Sequence, residues 1–337
     1  MFGRKRAAVG LDVGTYAVKA IELNISGTEV GITNAGYEEV TGETQRAAAL
    51  QKLVGENGLK GRDVVTSVSG RSVIVRYVNL RKMDKSELAN AIRFEADKYI
   101  PFSIDEVVLD CQPVDGVENV GPDEMKVLLV AVKRNLIEEH VAMLRASGVN
   151  PVVIDVDGFA LGNAHLISSA GGEAKVKALV DIGASKTDIN VMEGARSLFT
   201  REVYVGGNDF SAAIQRRLSV NPYEVEALKR DPAGRESDIA EAVQSVTDDL
   251  GNEVRLSLDF FENEFDRPVS AVVLSGGGAK LAGLSETLKG SFGKETEVWD
   301  PASAFALRMP GDREKLFREK ASQMVVAIGL AARLGRN

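Results

Sequence analysis

"VGLDVGTYAVKAIEL", residues 9–23, and "ALVDIGASKTDINVM", residues 178–192, are written to one pattern. In each, a short apolar run ends in Asp, an apolar residue and Gly, then small hydroxylated or cationic residues lead into a second strand-forming run. Asp12 aligns with Asp181, and Gly14 with Gly183. Apolar alternation on both sides of a tight Gly-containing turn predicts a β-hairpin with the Asp at the end of its incoming strand. Glycine lets backbone approach a ligand closely, and successive turn N–H groups can converge on a phosphate. A carboxylate beside phosphate is repelled unless a cation intervenes. Asp12 and Asp181 are therefore assigned to a hydrated Mg²⁺ bridging the phosphates. Either hairpin alone reads as well as an ordinary turn; recurrence in the same register points to two jaws on one polyphosphate.

A third glycine cluster lies at 271–284, "AVVLSGGGAKLAGL", where a buried-type strand runs into Gly276, Gly277 and Gly278. Three glycines leave room for the face of a base or for an α-phosphate. This is neither the GxGxxG dinucleotide fingerprint nor a P-loop, since no GxxxxGK[ST] occurs.

Composition narrows the classes. The 337 residues, 44% hydrophobic and 27% charged, suit a soluble protein of two lobes or several subdomains. A net charge of −8 with no concentrated basic face argues against nucleic acid. The single cysteine, Cys111, excludes an intrachain disulfide, and two histidines, His140 and His165, are too few for a usual zinc site. A reducing cytoplasm is the expected location. Apolar stretches such as "VLLVAV" at 127–132 and "MVVAIGLAA" at 324–332 fall short of the roughly 20 residues of a membrane span. Asp12 interrupts the apolar part of what begins like a signal peptide. The basic residues Arg4, Lys5 and Arg6 read as a solvated terminus or as a contact for an anionic membrane surface.

The order of these elements, hairpin, hairpin, strand-GGG, resembles the phosphate-1, phosphate-2 and adenosine motifs of the actin-like ATPase superfamily. "NAIRFEADKYIPFSIDEVVLDCQPV" at 90–114 is similar to a stretch of the PilM family of type IV pilus assembly proteins. "GGNDFSAAI" at 206–214 also fits that family. The resemblance covers roughly residues 7–335. It implies an α/β, actin-like two-lobed fold with ribonuclease H-like lobes and an FtsA/PilM-type inserted α+β subdomain, with ATP and Mg²⁺ in the cleft between the lobes.

The implied divisions are the first lobe at 7–71 and an inserted subdomain at 72–153. A connecting helix follows at 154–176. The second lobe comprises 177–216, a helical part at 217–267 and 268–318, and a last helix, 319–337, returns to the first lobe. Local signals agree with this scheme. Asp84 can cap a helix with Glu87 three residues on, and Leu88, Ile92 and Ala96 follow at helical spacing until Pro101. Helix, two strands and helix within 72–153 read as a split βαβ insertion. Ile239, Val243, Val246, Leu250, Val254, Leu258, Phe261 and Phe265 form the apolar stripe of one long helix, read as core packing rather than a coiled-coil seam.

On this resemblance, Gly14, Thr15, Tyr16 and Lys19 form the first phosphate turn, and Gly183, Ala184, Ser185, Lys186 and Thr187 the second. Gly206 and Gly207 abut the phosphates, and Gly276, Gly277, Gly278 and Lys280 surround the adenosine. Glu226 and Lys229, in "NPYEVEALK", meet the ribose and base; on the residues alone they read equally as a solvated i,i+3 ion pair. Ala184 stands where the first turn has Thr15, so Ser185 or Thr187 must supply the missing hydroxyl, while Lys186 adds a cation. Hydrolysis, if any, falls to Asp12 and Asp181 acting through Mg²⁺-bound water.

The family implies a cytoplasmic scaffold held peripherally at the inner membrane through a partner. That partner is the cytoplasmic N-terminal segment of PilN, docking between the inserted subdomain and the first lobe, with PilO reached through PilN. Pilus motor ATPases and a ring or filament of copies are further implied contacts. Tyr99, Ile100 and Phe102, beside the helix-stopping Pro101, are the candidate peptide anchors or else the plug of the subdomain core. Two other classes stay open at this stage. One is an FtsA-like filament or membrane tether. The other is a sugar-kinase-like phosphotransferase, for which "DVDGFALGNA" at 155–164 offers Asp157 as a base.

Overall fold

The computed structural model describes residues 7–26, 29–40, 45–114, 121–168, 175–232 and 234–334, so the cluster at 4–6 lies outside the described residues. β1 (Ala8–Val13) is buried along almost its whole length, as a strand with a neighbour on each side and helices over its faces must be. β2 (Ala17–Ser26) returns antiparallel to it, and β3 (Glu29–Glu39) pairs antiparallel to β2. α1 (Arg46–Glu56) then carries the chain to β4 (Asp63–Val68), which lies parallel to β1. From the end of β4 the chain leaves for a separate antiparallel sheet. It runs through β5 (Val73–Arg81), α2 (Lys85–Ala96), β6 (Val107–Pro113) and β7 (Glu124–Lys133), with strand order β5-β7-β6. α3 (Arg134–Ala146) leads back to β8 (Asn150–Val156), parallel to β4, and α4 (Asp157–Ser168) follows directly.

The second lobe repeats the order. β9 (Val176–Ile182), β10 (Thr187–Glu193) and β11 (Arg196–Val203) form a meander. α5 (Gly207–Leu218), α6 (Pro222–Arg230) and the 30-residue α7 (Glu236–Phe265) intervene. β12 (Ala271–Ser275) then lies parallel to β9. After α8 (Leu284–Phe292), β13 (Glu295–Val298) lies parallel to β12. The first sheet reads β14-β3-β2-β1-β4-β8 and the second β11-β10-β9-β12-β13, where β14 (Ala306–Leu307) is a short addition at the first sheet's edge. The duplicated turn is thus the local trace of a duplicated lobe: β1 and β9 occupy equivalent positions in their sheets, and each carries its Asp one residue before its end. α9 (Gly311–Lys320) and α10 (Val325–Leu334) complete the chain.

The two lobes share a core. α10 packs against α4 and β1, and its Val325 and Ile328, with Met324 just before it, belong to one cluster with Ile21 and Ile32 of the first sheet and Leu179 and Val273 of the second. At Gly329 a Cβ would stand 1.7 Å from the Ala160 carbonyl oxygen, so the two helix backbones touch. The stripe on α7 is ordinary core: Leu250, Val254 and Phe261 are fully buried against the second sheet and α5.

The insertion is smaller than 72–153. β8 pairs with β4 in the main sheet, and Leu144 of α3 is buried with Leu11 and Val64 of the first lobe. The self-contained part comprises β5 to β7 and α2, around Leu80, Leu88, Ile92 and Leu129. Asp84 caps α2 in a full capping box with Glu87, and the helix ends at Ala96, before Pro101.

Candidate functional site

The two hairpin turns face each other across a cleft of about 650 Å³. Thr15 Oγ1 and Ser185 Oγ meet at 3.0 Å, one hydroxyl from each lobe. Ser185 therefore answers Thr15 in the second turn. Thr187 does not, because its fully buried hydroxyl donates to the Val205 carbonyl at 2.7 Å. Gly14 and Gly183 close equivalent turns, their N–H groups donating to Ala17 O (3.1 Å) and Lys186 O (2.9 Å).

Asp12, Asp157, Asp181 and Asp188 all line the cleft, with Lys19 and Lys186 paired among them. Lys19 Nζ bonds Asp12 at 2.8 Å. Burial opposes a charge on Lys19, but Asp12 outweighs it and the ammonium is held above its ordinary pKa. On Asp12 burial wins, and its carboxyl is pushed up despite Lys19. Burial likewise lifts Asp181 to about 6, against the Ser275 hydroxyl that donates to it at 2.7 Å. Lys186 does not extend a free cation into the cleft. Its Nζ is surrounded by Asp157 (3.0 Å), Asp188 (2.6 Å) and Glu202 (3.3 Å), which together outweigh burial and raise its pKa. Of these acids, Asp157 keeps its charge: burial pushes it up, but Lys186 and the hydroxyls of Ser67 and Ser69 hold it below the usual range. Burial dominates on Asp188 and raises it.

The other end is built on α6, the glycine triplet and α9. Asn221 caps α6 through a capping box with Pro222 at its first turn, which fixes Glu226 and Lys229 one turn apart. Lys229 Nζ bonds Glu226 (2.9 Å) and Ser211 Oγ (3.0 Å), so the pair is tied to α5 rather than left in solvent. The glycines divide by role. Gly276 has φ +85°, and a Cβ there would meet the Ile182 carbonyl at 2.3 Å. At Gly278 a Cβ would lie 2.2 Å from the Ile182 side chain. Both allow the triplet to pack on the second hairpin's incoming strand. Gly277 alone faces open cleft, with its nearest atom, on Gln323, 3.8 Å from a built Cβ. Gly206 is likewise a packing glycine, where a Cβ would stand 2.8 Å from Ala184 O, and it does not line the cleft, whereas Gly207, Ala184, Tyr16 and Lys280 do. Lys280 Nζ donates to the Glu319 carbonyl at 2.6 Å.

Tyr99, Ile100 and Phe102 lie away from the cleft. Ile100 is buried in the insertion's own core, with Tyr99 and Phe102 packed against it and Lys133 Nζ 4.4 Å above the Phe102 ring. Pro101 brings the chain back over the sheet, so this corner fills the insertion instead of offering Ile100 outward.

The cleft continues behind the acidic floor into a recess between α1 and α3, lined by Arg46, Ser67, Ser69, Leu136 and His140. His140 Nε2 and Thr66 Oγ1 are 2.9 Å apart, and burial lowers the His140 pKa. Arg46 Nε is buried with no hydrogen-bond partner. No sequence motif marks this recess. Asp157 does leave a signal, an acid directly after the strand of "VVIDVDG", where it opens α4.

Among the described residues no group of three His, Cys, Asp or Glu side chains is placed to hold a metal by itself, and no helix is long and apolar enough to cross a membrane.

Relatives with this architecture are known. Ethanolamine utilization protein EutJ from Carboxydothermus hydrogenoformans is similar over 97% of this chain and 89% of its own, at 16% identity and TM-score 0.56. MreB 5 of Spiroplasma citri, solved with AMPPNP, matches over 97% and 95% at 12% identity and TM-score 0.52. These establish the actin-like ATPase fold. A chain of the PilM–PilN type IV pilus biogenesis complex is 30% identical over 98% of both chains, with TM-score 0.85. The family model for type IV pilus assembly protein PilM matches residues 10–334. The chain therefore belongs to the PilM family of type IV pilus assembly proteins.

Proposed function

We propose that this protein is an ATP-binding scaffold of the inner-membrane pilus assembly complex, holding Mg²⁺–ATP in the interlobe cleft and the cytoplasmic N-terminal segment of PilN nearby. The observation that carries the nucleotide half is the charge of the floor. Asp12 and Asp181, one from each turn, face the cleft, so phosphates entering beside either carboxylate are repelled unless a divalent cation comes with them. Asp12 and Asp181 are the carboxylates suited to that ion. Mg²⁺ keeps most of its waters and takes one or two carboxylates plus phosphate oxygens, a demand that two aspartates meet. Bound Mg²⁺ would supply charge neutralisation across the phosphates. Thr15 and Ser185 close on the phosphates from opposite lobes, and Glu226 and Lys229 present one acceptor and one donor to the ribose. Asp157 suits a kinase base poorly, because Lys186 and two hydroxyls already stabilise its ionised form.

Isothermal titration with Mg²⁺–ATP tests this reading. Asp181→Ala should weaken binding by on the order of 2 kcal/mol; unchanged affinity would refute the two-turn site.

The recess between α1 and α3 is the candidate seat for the PilN segment. It lies in the first lobe beside Ser67 and Ser69, where the chain leaves β4 for the insertion, and Arg46 Nε offers a buried, unpartnered donor suited to a peptide carbonyl. Attachment to the membrane, contact with PilO and with motor ATPases, and any ring or filament all follow from that docking in this reading. A synthetic PilN N-terminal peptide should bind with micromolar affinity, about −8 kcal/mol. Arg46→Ala should weaken it about tenfold while leaving Mg²⁺–ATP binding intact. Peptide binding that is indifferent to Arg46 and Leu136 would move the partner elsewhere.

A further inference from the structure

Arg230, the last residue of α6, crosses the cleft mouth from the second lobe to the first. Its guanidinium donates to Tyr16 Oη at 3.1 Å and to Glu39 Oε1 at 2.9 Å. Tyr16 is in the first phosphate turn, and Glu39 ends β3 beside it, where Val40 N donates to the Tyr16 carbonyl at 2.7 Å. A positive group on one lobe thus holds a hydroxyl and a carboxylate on the other, directly over the space between the first turn and Glu226. The geometry points to a latch: Arg230, Tyr16 and Glu39 tie the lobes shut across the mouth and set the rate at which the cleft exchanges its ligand. As a device for nucleotide exchange, the latch rests on the nucleotide reading above.

The bonds suit a contact that opens and recloses. Arg230 and Glu39 side chains are 58% and 40% exposed, so solvent screens the pair and its hold is weak. Because both lie at the rim rather than in a core, replacing either leaves the fold intact. They also differ in sign, which separates a latch from a ligand contact. Removing a cation and removing an anion shift the attraction for a polyphosphate in opposite directions, whereas either change opens a latch.

The test is stopped-flow binding of a fluorescent ATP analogue with Mg²⁺ to the full chain and to Arg230→Gln and Glu39→Gln. A latch predicts that both variants raise the association and dissociation rates together, by about twofold to fivefold, with Kd changed less than either rate. Association slowed by Arg230→Gln and quickened by Glu39→Gln would identify simple electrostatic contacts and overturn the proposal. Hydrogen exchange in ligand-free protein gives a readout independent of nucleotide. Residues 14–17 and α6 should exchange faster in both variants than in the natural chain, and equal protection would overturn the latch. Should the natural chain bind no nucleotide, the proposed function fails, while this exchange comparison still decides whether the latch exists.

Discussion

At Gly278 a single added methyl group would land 2.2 Å from the Ile182 side chain, and at Gly277 the same group would meet nothing closer than 3.8 Å. The sequence treats these adjacent glycines as one cluster; the fold gives them different work. Gly277 has φ −69°, a conformation any residue adopts, so Gly277→Ala should keep its melting temperature while altering nucleotide affinity. Gly278→Ala should lose about 1–3 kcal/mol of stability by overpacking. Thermal melts of the two proteins, with and without Mg²⁺–ATP, check the division. Asp181 gives a second residue-scale test. Its folded pKa of about 6 stands above the ordinary 3.8, so the folded chain holds that proton more tightly than the unfolded chain. The resulting stabilisation is complete below pH 4, is lost as pH rises from 4 to 6, and is absent above. Asp181→Asn should flatten this stretch of the stability–pH curve. At neutral pH it should also stabilise the ligand-free protein by about 1–3 kcal/mol, with the Ser275 hydroxyl bond retained. A variant less stable at pH 7.5 than the natural chain would contradict the assignment of burial as the dominant cost at Asp181.

Helix α10 illustrates what an element can and cannot announce in advance. Its apolar run from Val325 to Ala332 gives a helix buried on all sides, and its return to the first lobe follows from the family resemblance. Its position between two sheets does not, because that depends on Gly10 and Gly329, two glycines without turn signals. A Cβ at Gly10 would meet the Ala327 carbonyl at 2.1 Å, so strand and helix backbones lie almost in contact. Gly329→Val should therefore fail to fold or melt far below the natural chain. Gly290→Ala, on α8 with open space around its Cβ, should be neutral or slightly stabilising. Circular dichroism melts distinguish the pair. The capped helix α2 is legible because a capping box is local in sequence. By contrast, α3 reads as part of an insertion, and the burial of Leu144 beside Leu11 and the His140–Thr66 contact assign it to the first lobe. The cleft shows the same limit. Asp12 and Asp181 stand in a repeated motif, whereas Arg46, Ser67 and His140 meet through chain reversals that no short pattern encodes.

At the scale of the molecule, the insertion forms a bridge between the lobes instead of projecting from one of them. It grows from the first lobe at β4, yet Tyr77 Oη reaches Ser197 Oγ on β11 at 3.3 Å, and Lys126 Nζ reaches Glu264 on α7 at 3.1 Å. Glu202 on β11 accepts the Gly70 N–H on both carboxylate oxygens, at 3.0 and 2.9 Å, just before β5 begins. Lys126 has only 5% of its side chain exposed, with its ammonium 5.3 Å from the Phe265 ring centroid. A buried ammonium deprived of its carboxylate is costly, although the 48% exposure of the Glu264 side chain lets water recover part of that cost. Glu264→Gln should thus weaken the attachment of the insertion to the second lobe by roughly 1 kcal/mol without unfolding the insertion, whose core around Leu88, Ile92 and Leu129 is its own. Hydrogen exchange resolves the two effects. Protection should fall on the last turns of α7 and on β5, the edge strand facing β11, while β7, paired on both sides, keeps its slow amides. Loss of protection spread evenly over β5, β6 and β7 would mean that the insertion depends on the second lobe for its own stability.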